Sequence, residues 1–252
     1  MCKISIITIN KDNAVGLENT IQSVINQTYK DIEYLIIDGA SSDNSLAIIK
    51  KYSNSISTYI SERDNGLYNA MNKGQKMATG EYLFFLNSGD VLYKNNTLEL
   101  VADKLHNIDV LFGNTSVIYN LKILINVSTP IIEYYKRYQH DIPPQPALFV
   151  KKECFGKVGG FDESYRIIAD VVFVSRLFAD INTTYKYIDE VISVFDTTGV
   201  SSQEANQEKI YLERKRFITT EFPQYLNDFE KIYNKNFINR LVKRITKLMG
   251  NK

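Results

Sequence analysis

Three turns rich in carboxylate and amide side chains close apolar runs in this 252-residue chain. The first, Asp38-Gly39-Ala40-Ser41-Ser42-Asp43, ends the run Ile32 to Ile37. A carboxylate there accepts hydrogen bonds, which suits Asp38 to a nucleobase N–H or a ribose hydroxyl; Asp43 either faces the same ligand or caps the next helix. The second, Ser61-Glu62-Arg63-Asp64-Asn65-Gly66, carries a guanidinium able to meet a pyrophosphate. Its alternative reading is an exposed loop with a surface ion pair, which stabilises little. The third, Asn87-Ser88-Gly89-Asp90, follows Tyr82 to Leu86. Magnesium and manganese prefer oxygen and take one or two protein carboxylates beside water and phosphate, so Asp90 alone is a minimal metal anchor. Otherwise it is a turn aspartate.

These turns need elements to hold them. Ile4 to Ile9 is a short β-branched run of the kind buried on both faces of a parallel sheet. Leu17, Ile21, Val24 and Ile25 recur at helical spacing, and after Ile32 to Ile37 the residues Leu46, Ile48, Ile49 and Tyr52 predict a second helix capped by Ser42 or Asp43. A strand at Ile56 to Ile60, a helix carrying Leu67, Ala70, Met71 and Met77, and a strand at Tyr82 to Leu86 continue the alternation. The glycine, asparagine and alanine of Gly66 to Gly74 allow close helix packing and do not form a Walker phosphate loop.

Such alternation predicts an α/β fold with a mainly parallel sheet, whose ligands bind beyond the carboxyl ends of the strands. Past residue 109 the texture changes. Val110 to Phe112 and Thr115 to Val127, with Asn114 and Asn120 as turn residues, predict a hairpin or mixed extension. Pro143 to Pro146 predicts an extended loop. A strand at Ala147 to Val150 and a Gly159-Gly160 turn lead to Asp170, which on residue type alone caps a helix over Val171 to Phe178.

Thirty basic residues against twenty-nine acidic ones leave a formal charge of +1, and this balance gives no field for nucleic acid. Hydrophobic residues at 44% and charged ones at 23% fit an ordinary folded protein. Cys2 and Cys154, with His106 and His140, offer no spacing for a structural zinc site or disulfide framework. The run after Lys3 is too short for a signal core, and no stretch approaches the roughly 20 apolar residues of a membrane span, so a cytoplasmic location is expected. Near the end, Phe237, Ile238, Leu241, Val242, Ile245, Leu248 and Met249 share one helical face opposite Arg240, Lys243, Arg244 and Lys247. That face suits either the inner surface of the cell membrane or docking on protein.

The order of segments resembles the family 2 glycosyltransferases of the GT-A fold, especially bacterial polysaccharide-building members. The landmarks are Ser5 to Asn10, Gln22 to Tyr29, Ile37 to Asp43, Ser61 to Gly66, Ala70 to Gly74, Ala78 to Glu81, Phe85 to Asp90 and Gly160 to Glu163, within residues 3 to 202. Each is a weak motif; their ordered set is specific.

The resemblance implies a GT-A domain over 1–202, with a nucleotide-sugar half at 1–110 and an acceptor half at 111–202, followed by a helical extension at 203–252. It implies Thr8, Asn10 and Asp38 at the base or ribose, Arg63 near the nucleotide, Asn87 and Ser88 in the donor site, and Asp90 on Mn²⁺ or Mg²⁺. Asp170 falls where relatives carry the catalytic base, and Thr197 to Ser201 resembles a loop that follows the catalytic region. The expected reaction is inverting transfer of a hexose or N-acetylhexosamine from a uridine-linked nucleotide diphosphate sugar to a glycan or lipid-linked acceptor. Asn87 and Gly89 stand where many relatives carry aspartate, and this thinned metal motif keeps a sugar-nucleotide-binding subunit without turnover as the alternative. A nucleotidyltransferase is disfavoured because no Gly-rich, Arg/Lys-laden amino-terminal loop is present.

Overall fold

β1 (Ile4–Asn10) is buried at every position, which a strand achieves only at the centre of a sheet covered on both faces. The computed structural model describes residues 2–119, 122–126, 143–231 and 233. β1 pairs in parallel with β2 (Ile32–Asp38) and with β4 (Tyr82–Phe85), and β2 pairs in parallel with β3 (Thr58–Ser61). The remaining strands are β5 (Val91–Leu92), β6 (Val110–Tyr119), β7 (Lys122–Asn126), β8 (Leu148–Lys151) and β9 (Tyr185–Phe195). The order is β3-β2-β1-β4-β8-β6-β9-β5, with β7 on β6.

The expected parallel character therefore holds for the first half. In the second half β8 is antiparallel to β4 and β6, β5 to β9, and β7 to β6, while β6 and β9 run parallel. The sheet is mixed and continuous across residue 110, so the two halves of the chain share one sheet.

Alternation along β1 divides the core in two. Ile4 and Ile6 point to α1 (Ala14–Ile25), α2 (Ser45–Lys51) and α4 (Thr97–Ala102); Ile7 and Ile9 point to α3 (Leu67–Met77), α5 (Lys152–Val158), α6 (Ala169–Ala179) and α7 (Gln207–Glu221). Phe84 stacks on Phe149 at 4.3 Å on the first face. Phe155 stacks on Phe173 at 4.5 Å on the second. Phe217, Ile218 and Phe229 belong to that second core, so residues past 202 complete the domain instead of standing apart from it.

Several local expectations change. Asn114 is no turn: it sits inside β6 at a shift of register and is buried, its Nδ2 donating to Asp189 at 3.0 Å. β6 and β7 do pair as a hairpin. Gln145–Ala147 forms one 3₁₀ turn within the expected extended loop. Of the two residues expected to cap α2, Asp43 accepts the Ser45 N–H, although the N-cap position itself falls on Asn44. The basic face over 237–249 and Asn120 lie outside the described residues. No helix among the described residues is long and apolar enough to cross a membrane.

Candidate active site

At the carboxyl edge of the parallel strands, Asn10 and Asp38 end β1 and β2 in register. Asn10 Nδ2 donates to Asp38 Oδ1 at 2.8 Å, the Ser41 hydroxyl donates to the same oxygen, and Oδ2 accepts Ser41 N–H at 3.0 Å and the Ser61 hydroxyl at 2.6 Å. Burial alone would raise this carboxyl, but the donors on Ser41, Ser61 and Asn10 outweigh it and hold Asp38 below the usual carboxylate range. Thr8 Oγ1 donates to the Leu86 carbonyl at 2.8 Å and lies 3.1 Å from the Tyr34 hydroxyl.

All three side chains are sealed, with 0% exposure for Thr8, 1% for Asn10 and 0% for Asp38. In this arrangement they fix the turns at the sheet edge, and Asn10 Oδ1 is left buried without a hydrogen-bond partner. The sequence placed them at this edge but could not show how many of their hydrogen bonds are made within the protein.

The turns themselves are laced. Lys11 Nζ donates to the carbonyls of Gly39 at 2.9 Å and Ala40 at 2.8 Å, and the Asp12 carboxylate accepts Ser42 N–H at 2.6 Å. Asp43 accepts Ser45 N–H at 3.0 Å and Ala14 N–H at 2.8 Å, so it satisfies orphan donors at the start of two helices. Its helix-end reading is the one the structure supports. A Cβ on Gly39 would lie 2.5 Å from Asp64 Oδ2, so a side chain there would make the Asp64 carboxylate move aside. Arg63 is exposed, and its guanidinium makes no ion pair with a described residue.

Asn87 to Asp90 forms a turn closed by Asp90 N–H donating to the Asn87 carbonyl at 3.0 Å. Thr20, buried on α1, pins it by donating to the Asp90 carbonyl at 2.7 Å and accepting Gly89 N–H at 3.0 Å. Asn13 Nδ2 holds the Ser88 carbonyl at 3.1 Å. Asp90 is 4% exposed, and its Oδ1 accepts the Asp196 N–H at 2.8 Å. Burial, and secondarily the charge of Asp196, push the Asp90 carboxyl up to about 7.

Asp196 was absent from the sequence-based candidates. β9 pairs antiparallel with β5, Val194 opposite Val91, and this register delivers Asp196 beside Gly89 and Asp90. The available signal was the alternation of Tyr185 to Phe195, which predicts a strand ending at an aspartate.

Gly89 has φ +105°, and a Cβ there would lie 2.4 Å from Asp196 Oδ2. The missing side chain thus leaves room for the Asp196 carboxylate, which also accepts the Thr198 N–H and hydroxyl, beside the turn that carries Asp90. Two carboxylates fit a cation that completes its shell with water and phosphate, as Mg²⁺ and Mn²⁺ do. No cluster of three or more His, Cys, Asp or Glu suited to a metal occurs among the described residues, so a diphosphate would have to supply the rest. Gly89→Ala is expected to destabilise the protein by about 1–3 kcal/mol through left-handed backbone strain and to weaken any Mn²⁺-dependent nucleotide affinity; urea unfolding and calorimetry check both.

Asp170 lies in the first turn of α6, whose N-cap residue is Ile168 and makes no side-chain cap bond. Capping is supplied from α7: the Glu213 carboxylate accepts the N–H groups of Arg166 at 2.8 Å, Ile167 at 3.0 Å and Ile168 at 3.2 Å. Asp170 itself accepts the Val171 N–H in the first turn, so its helix-start reading stands beside the support from Glu213. Its Oδ1 lies 2.7 Å from the Tyr68 hydroxyl. Burial raises its carboxyl; the Tyr68 hydroxyl, the Val171 N–H and Arg214 pull it down without cancelling that rise. Beside it an open pocket of about 190 Å³ is lined by Asn65, Gly66, Tyr68, Asn69, Glu163 and Arg166. The segment 61–68 runs from the Asp38 hub, through Ser61 and Asp64, to Asp170 through Tyr68.

A sheet edge with a buried Asp90, a half-buried Asp196 brought beside it by β9 and a raised carboxylate at a helix start fits the class of GT-A glycosyltransferases. Residues 4–158 match the model of glycosyl transferase family 2. An uncharacterized glycosyltransferase of Mycobacterium tuberculosis is 32% identical over 207 residues, covering 79% of this chain and 77% of the relative. A PGL/p-HBAD biosynthesis glycosyltransferase of Mycobacterium bovis is 28% identical over 211 residues, covering 77% of each. Among solved structures, S. aureus TarS 1–349 in complex with UDP-GlcNAc superposes with TM-score 0.68 at 19% identity, covering 86% of this chain and 66% of that one. The mannosyltransferase PcManGT from Pyrobaculum calidifontis, in complex with GDP-Man and Mn²⁺, gives TM-score 0.64 at 16% identity, covering 90% of this chain and 65% of that one. The chain thus spans just under two thirds of these structural neighbours.

The chain belongs to glycosyl transferase family 2. It is a glycosyltransferase with the GT-A fold. Asp170 and Asp196 lie beyond the matched residues 4–158, so their roles rest on position in this fold.

Proposed function

We propose that the protein transfers a hexose or N-acetylhexosamine from a uridine diphosphate sugar, with inversion, to a glycan or lipid-linked acceptor in bacterial surface polysaccharide or glycolipid synthesis. The observation that carries this reading is the placing of Asp196 against Gly89 and Asp90, its N–H on Asp90 Oδ1 and its carboxylate over Gly89, on the strand edge where α/β sheets bind ligands. TarS with UDP-GlcNAc supports the uridine-linked donor, PcManGT with Mn²⁺ supports a divalent cation, and the mycobacterial PGL relative supports a glycolipid-type acceptor.

Asp90 and Asp196 would hold Mn²⁺ or Mg²⁺, which as a Lewis acid offsets the charge of the departing diphosphate. Arg63, exposed at the same edge, meets the diphosphate as a cation. Asn87 and Ser88 frame the donor side through the turn that Thr20 and Asn13 pin. Asp170 takes the proton of the acceptor hydroxyl as that oxygen bonds to the anomeric carbon. The bond from that carbon to the phosphate oxygen breaks, and the nucleoside diphosphate leaves from the opposite face. One carboxylate base suffices for this single displacement.

A panel of UDP- and GDP-linked sugars, with and without Mn²⁺, scored for nucleotide release, tests the reading. Release from GDP sugars alone overturns the uridine assignment. Release independent of metal overturns the cation assignment, and a product with retained anomeric configuration overturns the single displacement.

Contact with an anionic membrane through the basic face at 237–249 is part of the same reading. Removing residues 236–252 is expected to reduce sedimentation with anionic vesicles and leave nucleotide binding intact. Equal sedimentation before and after truncation would discard the membrane contact.

A further inference from the structure

We propose that Tyr68 is a positioning residue for Asp170: its hydroxyl fixes one carboxylate oxygen at the head of α6 and leaves the other to the acceptor. This rests on the reading of Asp170 as base.

Tyr68 is 4% exposed in the first turn of α3, and its ring packs against Phe161 at 5.9 Å. Its oxygen lies 2.6 Å from the Ile167 carbonyl and 2.7 Å from Asp170 Oδ1. A phenol has one proton and both neighbours are acceptors, so when Asp170 is ionised only one of these contacts is a hydrogen bond. The charge of the carboxylate draws the single proton to Oδ1, because a hydrogen bond to an ionised acceptor is stronger than one to a carbonyl. Burial, and then the charge of Asp170, push the phenol well above its ordinary range, so Tyr68 stays a donor and does not compete as a base.

The groups facing this pair are few. Tyr68 comes from α3, the Val171 N–H from the same helix as Asp170, and Arg214 from α7 acts on Asp170 as a positive charge; Glu213, also on α7, acts on Tyr68 as a negative one. Arg214 and the Val171 N–H remain when the hydroxyl is removed. A tyrosine kept only for packing would tolerate phenylalanine, because the ring contact with Phe161 does not need the oxygen.

The test is Tyr68→Phe in the full chain labelled with ¹³C at aspartate carboxyls, the Asp170 signal being assigned by its loss in Asp170→Asn. Removing a hydrogen bond to the ionised form should move the Asp170 titration up by about one pH unit, since such bonds favour the charged state. The acid limb of kcat/KM for the donor selected by the panel should move with it, and kcat at neutral pH should fall about ten-fold, with KM for the donor and Tm unchanged.

In an Asp170→Asn background, Tyr68→Phe should cost nothing further, because the two act as a unit. An unmoved titration overturns the proposal, as does a variant that loses its fold, since the hydroxyl would then be holding the structure. Wild-type turnover in Asp170→Asn sinks the base reading itself. An inactive Asp170→Asn beside an unaltered Tyr68→Phe sinks only the role of Tyr68.

Discussion

Asp170→Asn is expected to lower turnover by about 10²–10⁴-fold, the usual contribution of a positioned general base, while nucleotide affinity stays within two-fold of wild type. The amide keeps the shape of the carboxylate and its place beside the Tyr68 hydroxyl, but it cannot accept a proton from the acceptor. Stability should change little, because Glu213 holds the N–H groups of Arg166 to Ile168 and an asparagine oxygen can still accept the Val171 N–H. Asp170→Asn therefore separates chemistry from folding. Burial already raises the Asp170 carboxyl. Activity should accordingly fall as pH drops through a point above the ordinary aspartate range, because the base is then protonated. Turnover, Tm and UDP affinity measured on one preparation decide the matter: a rate equal to wild type returns Asp170 to a structural role.

How much of this was legible in the sequence depends on the range of the contact. The parallel half could be read from β-branched runs and helical periodicity, because β1, β2 and β4 are buried on both faces and their side chains report it. The turns at Asp38 and Asp90 were legible as punctuation after such runs. What could not be read was where the hydrogen bonds go. Nothing near Asp38 in the chain announces that Asn10, Ser41 and Ser61 close on it from three segments. Asp196 is invisible for a similar reason: its partner lies 106 positions earlier in the chain and is reached only through the β5–β9 register. The share of Glu213 in holding the start of α6 is hidden for the same reason, since it arrives from a helix 45 or more positions later. Local propensity announces that a helix start needs an acceptor, and tertiary structure decides which carboxylate supplies it.

Once Asp196 stands beside Asp90, the thinned motif at Asn87 and Gly89 takes on a different meaning. An aspartate at position 89 would drive its Cβ into the Asp196 carboxylate, so the glycine is what admits the second acidic group from β9. The carboxylate count that local sequence seemed to lose is recovered across the sheet. This answers the thinned motif that kept a binding subunit without turnover as the alternative.

Asp90→Asn should then give a protein that is more stable without ligand and indifferent to metal. The folded Asp90 carboxyl sits at about 7 against 3.8 for its ordinary value, raised by burial and by the charge of Asp196. Between these pH values the folded state keeps a proton that the unfolded chain releases. The folded state therefore binds more protons, and stability falls as pH rises from about 4 to about 7, with the whole penalty present above that. Asparagine has no such penalty. At pH 8 its Tm should exceed that of wild type by several degrees, for a difference of up to about 4 kcal/mol, and the two proteins should converge near pH 4. The same substitution removes one of the two carboxylates beside Gly89, so the Mn²⁺-dependent part of UDP affinity, read by calorimetry, should drop at least about ten-fold, as loss of a charged oxygen ligand implies. In wild type, Mn²⁺ with UDP should raise Tm more at pH 8 than at pH 6, because the cation needs the ionised carboxylate. An Asp90→Asn protein that is less stable than wild type at pH 8 and keeps its full response to Mn²⁺ would leave Asp90 as a buried turn residue and move the cation elsewhere.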